Sequence, residues 1–282
     1  MALINDKLCF IGGDKRQRYA AETLAKTARV NVIGECYSDC IKCNIHTCLP
    51  KALHNCRIIV LPLPAINMES VVSFDELISN IEGKDVLILG GKFSQYMKQL
   101  LTEKGIRNID YYQDEVFALK NAYLTAEGAL SYAMNSYDGD LKTARIAIIG
   151  YGRIGSALGE LLKGLLCRNI TVFARREEAR VIASERGLLC MPISPDSVYD
   201  FDLIFNTVPT RVITDKQLLE MNNGTVLIEL ASAPGGFDSD IAEQSGIKVV
   251  KAPGIPGAYA PKAAGRILSE TITELLTKEI SL

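Results

Sequence analysis

The segment Ile146-Ala147-Ile148-Ile149-Gly150-Tyr151-Gly152-Arg153-Ile154-Gly155 decides the fold. Four apolar residues in a row read as a buried strand. They run directly into G-x-G-x-x-G, and the residues after it carry apolar pairs at 157/158, 161/162 and 165/166, the spacing of a helix. Each glycine of such a turn has a separate task. Gly150 permits the tight turn, Gly152 lets backbone approach a diphosphate, and Gly155 lets the helix lie close to the strand. The helix start supplies free N–H groups and a positive dipole end for phosphates. The motif in this context predicts a dinucleotide site, with Tyr151, Arg153 and Ile154 contributing the loop's other contacts.

Outward from this point the chain alternates short apolar runs with helical patterns. Downstream, strands are predicted at residues 170–173, 203–206, 226–230 and 249–251, with a helix at 177–186. Upstream, strands are predicted at 8–11, 30–33, 58–61 and 86–89, and helices at 17–28 and 94–104. A connecting helix over 123–136 and a terminal helix over 262–278 complete the pattern. Repeated βα units imply parallel sheets covered on both faces. The fold class is therefore α/β, with two doubly wound parallel-sheet domains. The expected division is 1–120, joined by the C-terminal helix 262–282, and 121–261.

The second strand of the downstream half indicates which dinucleotide. An NAD site places an Asp or Glu there to accept from the ribose hydroxyls. Here the strand ends in Ala174-Arg175-Arg176, with no acid at its tip. Two guanidinium groups suit a 2′-phosphate, which they hold through paired charge-assisted bonds. NADP is the expected cofactor. Asn206-Thr207-Val208-Pro209 ends the next strand on the side that faces the ligand in open α/β sheets, and is assigned to the cofactor wall.

Composition bounds the chemistry. The 282 residues carry a formal net charge of −2, so no basic footprint for nucleic acid is present. The apolar runs are short, which excludes a membrane span, and residues 1–14 show no secretory signal. A reducing cytoplasmic compartment is expected. The chain has only two histidines, His46 and His54, both in the first quarter. Eight cysteines include five between Cys36 and Cys56. Cys36, Cys40 and Cys43 have iron–sulfur spacing, and thiolates so spaced also hold zinc. The surrounding α/β pattern lacks the barrel of radical enzymes, so free thiols and no metal are expected.

Four further segments become informative together: Ile11 to Arg16 (IGGDKR), Leu124 to Ala129 (LTAEGA), Leu230 to Gly236 (LASAPGG), and residues 252–265 (APGIPGAYAPKAAG). With the glycine turn and the NTVP strand end, they closely resemble the A-subunit family of dipicolinate synthase from spore-forming bacteria. The resemblance runs in order along nearly the whole chain. It implies Rossmann-like domains arranged as in hydroxyacid dehydrogenases. It also implies an NADP-dependent oxidoreductase, acting on CH–CH or ring C–H donors, that makes dipicolinate from dihydrodipicolinate or a hydroxylated precursor. A flavoprotein-like B subunit is the implied partner, and the mother cell of a sporulating bacterium the implied setting. A homo-oligomer is compatible with the family. The cysteine-rich stretch 35–50 has no counterpart in the resemblance.

The residues can be weighed against that chemistry. Hydroxyacid dehydrogenases of this architecture use a His–carboxylate pair, and the C-terminal half has no His. Oxidation of a dihydropyridine ring gains aromaticity as hydride leaves, so positioning and charge carry most of the catalysis. A small dicarboxylate substrate requires cations. Arg16, after the first strand's glycine turn, and Lys262, at the opening of the terminal helix, are the candidates. Asp14, Thr125 and Glu127 are further candidates, Glu127 as a proton acceptor if partly buried. Ala231 and Ser232 are placed at the nicotinamide end, and Arg211 is a possible carboxylate partner or a surface residue. Two other readings stay open: an NADP oxidoreductase of the same fold acting on a different small acid, and a non-catalytic dinucleotide-sensing subunit.

Overall fold

A computed structural model describes residues 6–195, 197 and 199–280. The last two positions of the expected terminal segment lie outside the described residues, as do the first five of the chain. The chain divides into two compact units, Met1–Asn121 with Pro256–Leu282, and Ala122–Ile255.

The first unit is built from β1 (Lys7–Ile11), α1 (Lys15–Leu24), β2 (Val30–Ile33), β3 (Asn44–Ile45), α2 (Leu49–Ala52), β4 (Cys56–Val60), α3 (Phe74–Ile81), β5 (Leu87–Gly90), α4 (Gln95–Glu103) and β6 (Arg107–Asp110). The unit boundary falls within the long helix α5 (Glu115–Ser136). The second unit continues with β7 (Arg145–Ile149), α6 (Arg153–Gly164), β8 (Asn169–Phe173), α7 (Glu177–Glu185), β9 (Leu189–Met191), β10 (Leu203–Asn206), α8 (Asp215–Glu220), β11 (Val226–Glu229), α9 (Ser239–Gln244) and β12 (Lys248–Lys251). The short α10 (Ile255–Tyr259) leads back to the first unit, which ends in α11 (Pro261–Ile280).

Each unit holds one six-stranded sheet. The orders are β3-β2-β1-β4-β5-β6 and β12-β11-β10-β7-β8-β9, and among the described residues all ten strand pairings are parallel. Counted from its own first strand, each sheet has the order 3-2-1-4-5-6 of a doubly wound dinucleotide fold, confirming the α/β expectation. The switch in strand order lies between β1 and β4 in the first sheet, and between β7 and β10 in the second. Ligands of such sheets bind outside the strand C-termini at that point.

The central strands are sealed: Leu8 to Ile11 and Ile146 to Ile149 have no exposed surface. Burying each such Leu, Ile or Phe side chain contributes about 1.5–3 kcal/mol. The edge strands are another matter. Asn44, Ile45, Arg107 and Asn108 are exposed, so β3 and β6 lack the apolar run that marks a strand in sequence. Their residues join the sheet through backbone pairing to the strand that precedes each in sequence.

Helix starts also move. The first helix begins at Lys15 rather than 17, because Asp14 and Gln17 form a capping box. The connecting helix begins at Glu115 rather than 123, with Asp114 Oδ1 accepting from the Phe117 N–H at 2.8 Å. Helix α3, not predicted, is capped by Ser73, whose Oγ accepts from the Glu76 N–H at 3.2 Å. Among the described residues no helix is long and apolar enough to cross a membrane.

Helices α1 and α11 touch through Gly265. A methyl group there would meet the Tyr19 Cβ at 2.5 Å and the Arg16 carbonyl oxygen at 2.8 Å. Gly265→Val should therefore overpack this contact and lower unfolding stability by about 1–3 kcal/mol, measured by urea denaturation. A stability equal to that of the parent protein would show that the two helices separate freely.

Candidate functional site

The second unit presents the glycine turn at its switch point. Gly150 has φ +91°, a conformation that side-chain-bearing residues rarely adopt, and a methyl group there would collide with Thr207 Oγ1 and approach Val208 Cγ2 at 2.7 Å. A methyl group on Gly155 would run into the Gly150 carbonyl oxygen. Beside Gly152, by contrast, space is open for 4 Å around an added Cβ. Gly152 is the N-cap of α6 and offers no side chain to its N–H groups. An uncapped helix start facing open space is the arrangement that receives a diphosphate. Tyr151 is buried, and among the described residues its hydroxyl has no partner. Arg153 is exposed at the first turn, and Ile154 is half-buried.

The tip of β8 continues through buried Ala174 into exposed Arg175 and Arg176. Among the described residues neither arginine has an acidic partner. Arg180 folds back so that its Nη1 donates to the carbonyls of Ala174 at 2.9 Å and Arg175 at 2.8 Å, which fixes the backbone behind the pair. Both guanidinium groups are left facing solvent, where a phosphate can reach them.

At the end of β10, Thr207 Oγ1 donates to the Ile149 carbonyl at 3.0 Å, tying this strand end to the glycine turn. Asn206 is fully buried. Its Nδ2 donates to Glu229 Oε1 at 2.8 Å and to the Val208 carbonyl at 3.0 Å, while its Oδ1 accepts from the Val208 N–H at 3.2 Å. Glu229, the last residue of β11, also accepts from the N–H groups of Ala231 and Gly236, each at 2.9 Å. The Ser232 loop is thereby pinned at both ends. Ala231 is half-buried, and Ser232 and Pro209 are exposed. Burial raises the Glu229 carboxyl above its ordinary value, and the three donors work against that shift.

Sequence reading names Asn206, Thr207, Val208, Pro209, Ala231 and Ser232 but misses Glu229, which looks like any strand residue. An acid ending a buried strand just before a Gly-rich loop is the available signal. Arg211 is exposed and pairs with Asp215 and, at 3.8 Å, with Asp238. It acts as a surface residue in the described contacts. Thr125 is buried within α5, and Glu127 on the same helix is exposed, so the partial burial anticipated for Glu127 is not met.

The first unit gathers Asp14 and Arg16 at its own switch point. The Arg16 side chain is 4% exposed. Its Nη2 donates to Asp14 Oδ2 at 2.9 Å and to the Leu63 carbonyl, beyond β4, at 3.3 Å; Nη1 reaches Asn121 Oδ1 at 3.4 Å. Nε is buried without a partner among the described residues. A buried, unpaired donor on a held guanidinium is a ready place for one carboxylate oxygen. Lys262 does not join this pair. It is exposed and lines a groove of about 950 Å³ with Lys26, Lys42 and Arg266, and neither Asp14 nor Arg16 lines that groove.

The cysteines meet in twos rather than in one cluster, Cys9 against Cys56 and Cys40 against Cys43. Cys40 and Cys56 are buried, Cys36, Cys43 and Cys48 half-buried, and burial pushes the Cys36 thiol up to about 12. Among the described residues no three His, Cys, Asp or Glu side chains gather as metal ligands would.

Known proteins share this geometry. Residues 7–112 match the family model described as the N-terminal domain of the dipicolinate synthase A subunit. The chain is 29% identical to the dipicolinate synthase A subunit of Bacillus subtilis (strain 168), over 96% of both chains. The crystal structure of the dipicolinate synthase A subunit from Bacillus halodurans superposes with a TM-score of 0.84 at 28% identity, covering 98% of this chain and 99% of that one. A D-lactate dehydrogenase from Treponema pallidum (TM-score 0.66, 15% identity, 96% and 97% covered) shares the fold alone. The chain is thus similar to the dipicolinate synthase A subunit along nearly its whole length, as its motifs imply.

Truncating Glu229 to Ala leaves three donors without their acceptor. A loss of about 2–4 kcal/mol is expected, read from denaturant unfolding. The sign of its pH dependence follows from the raised carboxyl. The folded state keeps a proton that the unfolded chain releases, so the stabilising contribution is full below the unfolded value and falls as pH rises through the folded one. The gap between parent and variant should narrow as pH rises through that window. A gap that widens contradicts the burial argument.

Proposed function

We propose that this relative of the dipicolinate synthase A subunit is the dehydrogenase component of such a synthase. It would oxidise dihydrodipicolinate, or the ring derived from a hydroxylated tetrahydro precursor, to dipicolinate in a sporulating mother cell. The observation that carries the reading is the match along the whole chain, which includes both units and both switch points. The partner is a B-type subunit, in keeping with the relatives' designation by the letter of one component among several.

The cofactor assigned is NADP. The glycine turn and the uncapped start of α6 would hold its diphosphate, and Arg175 and Arg176 its 2′-phosphate. Ser232, on the loop pinned by Glu229, is assigned to the nicotinamide end. When bound, the nicotinamide supplies the hydride acceptor. The substrate ring loses a hydride and a proton and becomes aromatic. Arg16, positioned by Asp14, is the carboxylate partner we assign, on the strength of its unpaired Nε. With no histidine in the second unit, water is the proton acceptor, and exposed Glu127 is left out of the step. Thr125 is a packing residue of α5 in this scheme, and Lys262 is left to its groove.

Two measurements test the proposal. Arg175→Asp should weaken NADP binding by about tenfold more than NAD binding, followed by nucleotide fluorescence titration; equal losses would remove the 2′-phosphate assignment. The condensation product of aspartate semialdehyde and pyruvate, supplied with NADP and a B-type partner, should yield dipicolinate. Absence of product with both components present would overturn the function.

A further inference from the structure

The two histidines that the proposed chemistry leaves unused come together. His46 follows β3, and His54 follows α2. With Lys7, Pro50 and Lys51 they line a pocket of about 380 Å³ in the first unit. Two lysines and two histidines line it together, and among the described residues no carboxylate does. The acid nearest in sequence, Asp6, lies 3.9 Å from Arg57 instead. In a chain with more acidic than basic residues, a wall of this composition is a local excess of positive charge awaiting a counter-ion.

Two details show what the pocket lacks. His46 Nε2 is buried and has no hydrogen-bond partner among the described residues. A buried ring nitrogen without a partner carries an unmet cost, which an oxyanion would remove by accepting from N–H. Lys7 is held in place, its Nζ donating to the His54 carbonyl at 3.1 Å, so one ammonium is fixed at the wall. The volume lies within the range of small-ligand sites and exceeds what a single chloride needs.

We propose that the Lys7–His46–Lys51–His54 pocket is a binding site for a small dianion, either a phosphate or a compact dicarboxylate. It is separate from the Asp14–Arg16 centre, which none of its four polar residues enters. Lys7 and Lys51 neutralise the two charges, and the half-buried His46 ring turns its Nε2 outward to donate to one oxygen. The site does not depend on NADP or on turnover, so it stands or falls apart from the function proposed above.

The charges facing His46 set the pH behaviour. Burial, with Lys7 on β1 and Lys51 on α2, holds the ring below the usual histidine range, and it enters the pocket neutral. An anion on Nε2 reverses that balance and stabilises the protonated ring. Dianion binding therefore takes up a proton and tightens as pH falls.

With only two histidines, ring-proton NMR of the intact protein reads the site directly. Inorganic phosphate and pyridine-2,6-dicarboxylate are titrated separately, with sodium chloride at matched ionic strength as control. At least one dianion should shift both histidine signals saturably, and the tighter of the two identifies the source. The Lys7→Gln/Lys51→Gln variant should bind about tenfold or more weakly. For the dicarboxylate, affinity should rise between about pH 8 and pH 6, and His46→Asn should abolish that rise. Shifts no larger than with chloride, or binding unchanged in the double-lysine variant, overturn the site. Affinity independent of pH in the parent protein overturns the role of His46.

Discussion

The contact between α6 and β7 at Gly155 is the constraint from which the second unit's site follows. A methyl group at 155 would strike the Gly150 carbonyl oxygen, so the helix can start this close to the strand only without a side chain. Once it does, the N–H groups of the first turn sit at the end of the central strand, and Gly152 leaves them uncovered. Thr207 Oγ1 then donates across the switch point to the carbonyls of Ile149 at 3.0 Å and Gly150 at 3.3 Å. Asn206, one residue back, turns inward to Glu229, and Glu229 pins the loop that carries Ser232. A steric limit at one glycine thus sets a chain of hydrogen bonds over three strand ends.

The same logic explains why the first unit gathers its own polar centre. Both sheets are wholly parallel and share one strand order. In each, the loops after the first strand and after the strand beside it across the switch must diverge. Between them lies a gap where backbone groups lack sheet partners. In the second unit that gap holds the glycine turn. In the first it holds Arg16, which reaches the Leu63 carbonyl from the far side of the switch. The arginine is nearly sealed there because Asp14, a helix cap, also accepts from its guanidinium. One carboxylate both starts α1 and orients the cation beside it.

What can be read from the sequence follows from how local each feature is. The glycine turn, the central strands and the paired arginines are fixed by adjacent residues, and periodicity or spacing reveals them. The edge strands are not, because Asn44 and Arg107 carry no apolar pattern and enter the sheets only through backbone pairing to the strand before them. Helix starts shift by a few residues because a single cap, such as Asp114, outweighs the apolar stripe that follows it. Glu229 is hidden for a related reason. Its importance lies in donors from Asn206 and Gly236, which only folding brings to it. Lys262 is a different case: its place at a helix start is legible in the sequence, but the groove that it lines with Lys26, Lys42 and Arg266 forms only on folding.

Charge has the same long-range character. The chain as a whole is close to neutral, which rules out a generally basic surface but says nothing of local fields. Folding separates the charges. Arg175 and Arg176 stand without acids at one strand tip, and Lys7 and Lys51 stand without acids around His46. Asp85, meanwhile, is consumed by Arg57 and Arg107, and Asp202 by Arg145. Acids neutralised in exposed pairs contribute little to stability, but their placement leaves particular cations unmatched. Those cations are where an anionic ligand gains most, because no internal partner must be displaced first. The histidine count, which weighs against hydroxyacid chemistry, takes on a second meaning in this light. The second unit does without imidazole, and the first concentrates both rings where the field is already positive and where one nitrogen still lacks a partner.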